Sequence, residues 1–172
     1  LPMTSPTHSS SPLRAVIFDL DGVITDTAEY HYQAWQRLAD EEGLPFDRET
    51  NERCRGFTRR DSLLIVLGGR PEPEERMQEF MNRKQRYYES LLDRIGPDDL
   101  LPGVAGLLDQ LDDAGLPYAV ASASKNARAV CERLGIAGRL GMLADGHSVE
   151  RPKPFPDLFR FAAAGLGMPA AR

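Results

Sequence analysis

The stretch "AVIFDLDGVITD", residues 15–26, decides the reading of this chain. Four apolar residues, Ala15 to Phe18, run straight into Asp19. Asp21 follows two positions later, then Gly22 and, further on, Asp26. The short continuous run "RAVIF" predicts a strand covered on both faces, as in a parallel sheet. In open parallel sheets ligands bind beyond the carboxyl ends of the strands, which is where Asp19 and Asp21 fall. Two carboxylates this close repel each other, so the pair requires a cation or a shared proton. Hard oxygen donors suit magnesium. A nucleophilic carboxylate beside a second one able to carry a proton also suits covalent phosphoryl transfer. A plain pair of loop aspartates satisfies the same pattern. A calcium loop does not, because Gly22 comes too early for an EF-hand and Tyr30 stands where the closing Glu belongs.

Outward from that stretch the periodicity changes. His31, Ala34, Trp35 and Leu38 share a helical face that Gly43 can end, and Thr58 and Asp61 have capping-box spacing before an apolar run. A long stripe through Met77, Phe80, Tyr88, Leu91 and Ile95 follows, so residues 29–96 read as helical throughout. Beyond them come a helix ending at Gly115, the strand "PYAVAS", the helix "KNARAVCERLG", the strand "LGMLAD" and a last helix, "PDLFRFAAAGLG". This order predicts an α/β fold with a parallel sheet, interrupted by a helical module. The expected division is a disordered tail at 1–12, a core from 13–28 and 97–172, and a helical cap at 29–96.

At 172 residues the chain suffices for one solid domain, or for a domain with a smaller lid. A net charge of -5 argues against a nucleic-acid partner, and no apolar run approaches the ~20 residues of a membrane span. Cys54 and Cys131 form no spacing motif, which suggests a reduced, cytoplasmic setting. "GLGMPA" follows a helix rather than a strand and contains Pro169, so it is no dinucleotide fingerprint; no P-loop is present either.

Three further segments carry candidate chemistry. Ser122 ends the strand "YAVAS" before a helix starting near Asn126, so its hydroxyl and the free amides there make a phosphate cradle. Ser122 or Ser124 could equally serve as a helix cap. Lys153, between Pro152 and Pro154, sits on a stiffened loop where it is either solvated or set against the two carboxylates. In "RGFTRRDSL", Arg55 and Arg59 lie four apart with Gly56 between them, fit to grip a phosphate or simply to begin a charged helix.

"DLDGVITDT", "SAS" after a strand, and "RPKPFPDLF" together resemble the motifs of the haloacid dehalogenase superfamily. The resemblance runs over residues 14–171 and implies a Rossmann-like α/β core with a cap inserted after the first strand. It implies Asp19 as the phosphorylated nucleophile and Asp21 as general acid and base. Mg2+ would be held by the Asp19 carboxylate and the Asp21 backbone carbonyl. Ser122 and Lys153 would hold the transferring phosphoryl group.

The cap segment is similar to that of the β-phosphoglucomutases within this superfamily. There, the residue matching Arg59 grips the distal phosphate, that matching His31 couples lid closure to the acid/base Asp, and that matching Lys84 contacts the sugar. Arg55, Gly56, Phe57, Ala123, Ser124, Lys125 and Asn126 complete the expected substrate-binding set. The resemblance therefore implies a mutase acting on a small sugar phosphate, β-glucose 1-phosphate, with a phosphatase or a non-catalytic fragment as alternatives. Family members carry a further strand ending in paired acids after the lysine segment, and none is encoded before Arg172. The expectation is a monomer if the chain is complete. If it ends there, residues 15–18 become an apolar edge open to self-association and the magnesium site lacks its acids.

Overall fold

The computed structural model describes residues 12–55, 57–151 and 153–168. The tail expected at 1–12 lies outside them except for Pro12, as do Gly56 and Pro152. Three strands, β1 (Val16–Phe18), β2 (Tyr118–Ala121) and β3 (Met142–Ala144), form a parallel sheet in that order. Val16 pairs with Tyr118 and Ala119 with Met142, so all three strands deliver their carboxyl ends to one edge. β2 is buried along its whole length because it has a neighbour on each side. β1 is only half-buried. Both its faces are nonetheless covered: Val16 and Phe18 pack against one apolar cluster and Ile17 against another. The partial exposure follows from β1 standing at the sheet's edge among the described residues.

After β1 the chain turns tightly. The Leu20 carbonyl accepts from Val23, Ile24 and Thr25, and Gly22, at φ +78°, donates to the Thr25 carbonyl at 2.7 Å. Thr25 then bridges to Leu100 and its hydroxyl donates to the Asp99 carbonyl at 2.7 Å. The start and the end of the helical insert are thereby fastened together.

Between these points lie α1 (Ala28–Glu42), α2 (Arg48–Arg53), α3 (Arg59–Val66) and α4 (Glu74–Leu92). The segment is therefore not helical throughout, as the periodicity suggested. Gly43, at φ +65°, ends α1, and Asp47 starts α2 by accepting from the Thr50 amide at 2.8 Å. Thr58 caps α3 as its spacing predicts, accepting from the Asp61 amide at 3.2 Å. The later helices are α5 (Val104–Asp113), α6 (Ala127–Arg133) and α7 (Asp157–Gly165), with α7 against β2 and β3.

Of the three apolar clusters among the described residues, two involve the helical insert. Trp35, Leu38, Leu63, Val66, Met77 and Phe80 make one among α1, α3 and α4. The other is centred on β2 and α6, yet it takes in Ala34, Tyr88 and Leu92. α4 thus begins in the first cluster and ends in the second. Leu63 is fully buried in the helical cluster. Leu63→Ala should cost about 2–5 kcal/mol. Hydrogen exchange should show the loss of protection concentrated in α3 and the first half of α4, with β2 unaffected.

Candidate active site

The parallel register places three loops side by side, and each carries residues singled out by the sequence. Asp19 and Asp21 follow β1, Ser122 to Asn126 follow β2, and Lys153 precedes α7. Lys153 Nζ lies 2.7 Å from Asp19 Oδ2, while Asp19 Oδ1 accepts the Leu20 amide at 2.7 Å. Both oxygens are thus oriented, and the carboxylate is still 41% exposed at the cleft. Lys153 is not a solvated surface lysine: its ammonium also stands 5.1 Å from the centre of the Phe159 ring.

Asp21 takes a different partner. Thr27, itself buried at the start of α1, donates its hydroxyl to Asp21 Oδ1. Surrounding protein raises the Asp21 pKa above its ordinary value even though the residue can still be reached by water. The Thr27 hydrogen bond opposes that rise and the negative charge of Asp19 adds to it. The two carboxylates are therefore unequal: one is paired with a cation and the other is biased toward holding a proton.

Ser122 is buried where β2 ends, and its amide donates to the Ala144 carbonyl of β3 at 2.9 Å. Its hydroxyl accepts the Ser124 amide at 3.1 Å, and the Ser124 hydroxyl accepts the Asn126 amide at 3.2 Å. Neither serine caps the first turn of α6; each closes a short turn within the loop. Gly146, after β3, braces this loop and was not singled out from the sequence. A Cβ there would stand 2.5 Å from the Ala123 carbonyl and 2.9 Å from Lys125 Cγ, so only glycine fits. The Asp145-Gly146 pair after a strand was the available signal.

His31 and Lys84 meet under the cleft. Lys84 Nζ is 2.8 Å from His31 Nδ1, and the lysine is 3% exposed, so it does not reach out to solvent. With Nδ1 accepting that bond, the imidazole proton belongs on Nε2. Burial, then the charges of Lys84 and Arg59, hold the His31 pKa well below 6.5. The imidazole stacks on Tyr88, with centroids 4.1 Å apart, and Lys84 Nζ lies 4.7 Å from the Tyr88 ring centre and 5.2 Å from that of Trp35. Tyr88 and Thr27 are the site neighbours that sequence reasoning missed. Tyr88 was visible only as one member of an apolar stripe. Where the resemblance led one to expect His31 coupled to Asp21, Asp21 is held by Thr27 and His31 by Lys84.

The remaining residues are less tightly gathered. Arg59 is half-buried, and its charge is felt at both Lys84 and His31. Arg55 is exposed and bonded to Glu52 at 3.2 Å, with its guanidinium 4.0 Å from the position a Cβ on Gly22 would take. Phe57 is 61% exposed, Ala123 and Lys125 are exposed, and Gly56 lies outside the described residues. No helix among the described residues is long and apolar enough to cross a membrane.

Burial, and then the charge of Arg59, lower the Lys84 pKa from 10.5 to about 7. Between those values the unfolded chain holds a proton that the folded chain releases, so this residue makes stability rise as pH rises through the window. Lys84→Met removes that dependence. The variant should gain most over the parent near pH ~6 and lose much of that advantage by pH ~9, as read from urea midpoints. A difference independent of pH would show that Lys84 is not titrating in this range.

A family model for haloacid dehalogenase-like hydrolases matches residues 13–172. β-Phosphoglucomutase of Bacillus subtilis (strain 168) is 43% identical over 163 residues, which cover 92% of this chain and 72% of that protein. N-acetylmuramic acid 6-phosphate phosphatase of Pseudomonas aeruginosa is 32% identical over 168 residues, 93% of this chain and 71% of that protein. Among solved structures, a β-phosphoglucomutase from Clostridium difficile superimposes with a TM-score of 0.82 at 39% identity, over 91% of this chain and 72% of that one. The family match spans both the strand-end loops and the inserted helices, and the structural likeness covers 91% of the chain. On that ground the chain belongs to the haloacid dehalogenase-like hydrolases, with their Rossmann-like α/β core.

Proposed function

We propose that this chain transfers phosphoryl groups on a phosphorylated sugar, interconverting β-glucose 1-phosphate and glucose 6-phosphate through phospho-Asp19. The observation that carries the reading is the unequal carboxylate pair: Asp19 oriented by Lys153, and Asp21, two residues on, with a raised pKa. The cycle starts from phospho-Asp19: Asp21 takes a proton from the free sugar hydroxyl, which attacks the phosphorus of phospho-Asp19, giving the sugar bisphosphate and freeing the Asp19 carboxylate. After the bisphosphate reverses its orientation, an Asp19 oxygen attacks the phosphorus of the other phosphate, forming the new O–P bond as the bond to the sugar oxygen breaks. Asp21, now protonated, gives its proton to that leaving oxygen, which releases glucose 6-phosphate and restores phospho-Asp19. Lys153 offsets charge on the transferring group, and Arg59 suits the distal phosphate of the bisphosphate intermediate.

The donor chemistry fits magnesium. Asp19 and the Asp21 backbone supply hard oxygens, and Mg2+ accepts one or two carboxylates while water and substrate phosphate fill the rest. Among the described residues no group of three or more His, Cys, Asp or Glu is placed to hold a metal. Of the described residues, the Asp19 carboxylate and the Asp21 carbonyl would hold the ion. A bound ion supplies positive charge against the phosphoryl oxygens.

The similarity to a phosphatase of a sugar 6-phosphate, and the 41% exposure of the Asp19 side chain, favour a second reading in which water attacks phospho-Asp19. Asp19→Asn should abolish turnover under either reading, and mass spectrometry should find no phosphoenzyme in the variant. Full activity in that variant would end the phospho-aspartate mechanism. Product analysis from β-glucose 1-phosphate then separates the two: glucose 6-phosphate for the mutase, free inorganic phosphate for the phosphatase.

Arg59→Ala should lower transfer to the sugar by roughly ten- to a hundredfold, the weight of about 1.5–3 kcal/mol of charged hydrogen bonding. Hydrolysis of a small ester such as p-nitrophenyl phosphate should change far less, because it has no distal phosphate. Equal losses on both substrates would remove Arg59 from distal-phosphate binding.

A further inference from the structure

Gln85 has no part in the machinery described above. It follows Lys84 on α4 and is half-buried. Its Nε2 donates to Glu89 Oε1, one turn along the helix, at 2.7 Å. The same nitrogen donates to Asn126 Oδ1, across the cleft in the loop after β2, at 3.0 Å. Both acceptors lie on one side, so the amide has a single sensible orientation; flipped, it would set oxygen against oxygen. Its Oε1 is buried and finds no partner. Buried acceptors are ordinarily satisfied. Holding this side chain in place therefore sacrifices one hydrogen bond to secure the bond to Asn126.

That bond has a chemical effect at its far end. Asn126 spends its only side-chain acceptor on Gln85, which leaves its NH2 group, a donor, for an anionic oxygen. The Asn126 amide is itself fastened to Ser124, and Ser124 to Ser122, so the orientation of one side chain is tied to the whole strand-end loop.

We infer that Gln85 is a positioning residue: it latches α4 to the loop after β2 and holds Asn126 with its donor side available to the phosphate of the substrate. The consequence for substrate rests on the proposed sugar-phosphate transfer; the latch itself does not.

Hydrogen exchange of the free, full chain tests the latch without any substrate. Gln85→Ala removes the side chain, and Gln85→Glu keeps its shape but loses the donor. Each should speed amide exchange at residues 123–126 by roughly three- to tenfold, the equilibrium weight of one hydrogen bond. Gln85→Lys, a donor of similar reach, should restore the parent rate. Parent-like exchange in both Gln85→Ala and Gln85→Glu would overturn the inference, and so would failure of Gln85→Lys to restore it. In turnover, Gln85→Ala should raise KM for β-glucose 1-phosphate by a larger factor than it lowers kcat, because the phosphate donor is displaced while Asp19 and Asp21 are untouched. A parent chain that forms no glucose 6-phosphate would sink the proposed function and leave the exchange result standing.

Discussion

Two like charges at the end of a strand are the constraint around which this structure is built. Asp19 and Asp21 cannot both sit bare in a cleft, and the fold handles them by different means. Asp19 receives an ammonium from a segment more than a hundred residues along the chain, Asp21 a hydroxyl from the first turn that follows it. The first solution requires the parallel register that brings the segment before α7 to the end of β1. The second requires α1 to begin close to the strand, which the tight turn at Gly22 secures. A carboxylate fixed by a cation and another biased toward its acid form are what separates a nucleophile from a proton carrier.

Much of this was legible because it is local. The apolar run into Asp19 and the Thr58–Asp61 spacing announce themselves within a few residues, and each forms as expected, whereas the serines before α6 accept the Ser124 and Asn126 amides instead of capping the helix or leaving those amides free. The separate helix α2 was also encoded locally, by Asp47 three residues before Thr50, but the surrounding periodicity hid it. What sequence could not display are meetings between distant segments. Lys84 and His31 are 53 positions apart, and Gln85 and Asn126 are 41 apart. Periodicity shows that Tyr88 faces inward but not that its ring lies under an imidazole. The glycine at 146 is required by a neighbouring carbonyl, and the Asp145-Gly146 pair signals a turn without showing that requirement.

The cap-side residues add an electrostatic theme. Three basic groups, His31, Lys84 and Arg59, are crowded together: the charges of Lys84 and Arg59 depress the proton affinity of His31, and that of Arg59 depresses Lys84's. Such crowding is unfavourable in the empty cleft and becomes favourable when an anion enters, because the anion offsets the desolvation and the mutual repulsion together. Stacking on Tyr88 and Trp35 moderates the cost meanwhile, since their ring faces attract the Lys84 charge.

The span of α4 from one apolar cluster to the other also makes it a lever. Nineteen residues at about 1.5 Å each give a rod of about 28 Å. Its final turn is seated among core residues through Tyr88 and Leu92, and its far half carries α3 through Met77 and Phe80. With the pivot at Tyr88, a tilt of ~10° moves the far tip by about 4 Å but displaces Gln85 by only about 1 Å, by the same rise per residue. Arg59, riding on α3, travels with the long arm, whereas Gln85 stays near the fulcrum. One small rotation can therefore swing a guanidinium over the cleft while preserving the amide contact at its base.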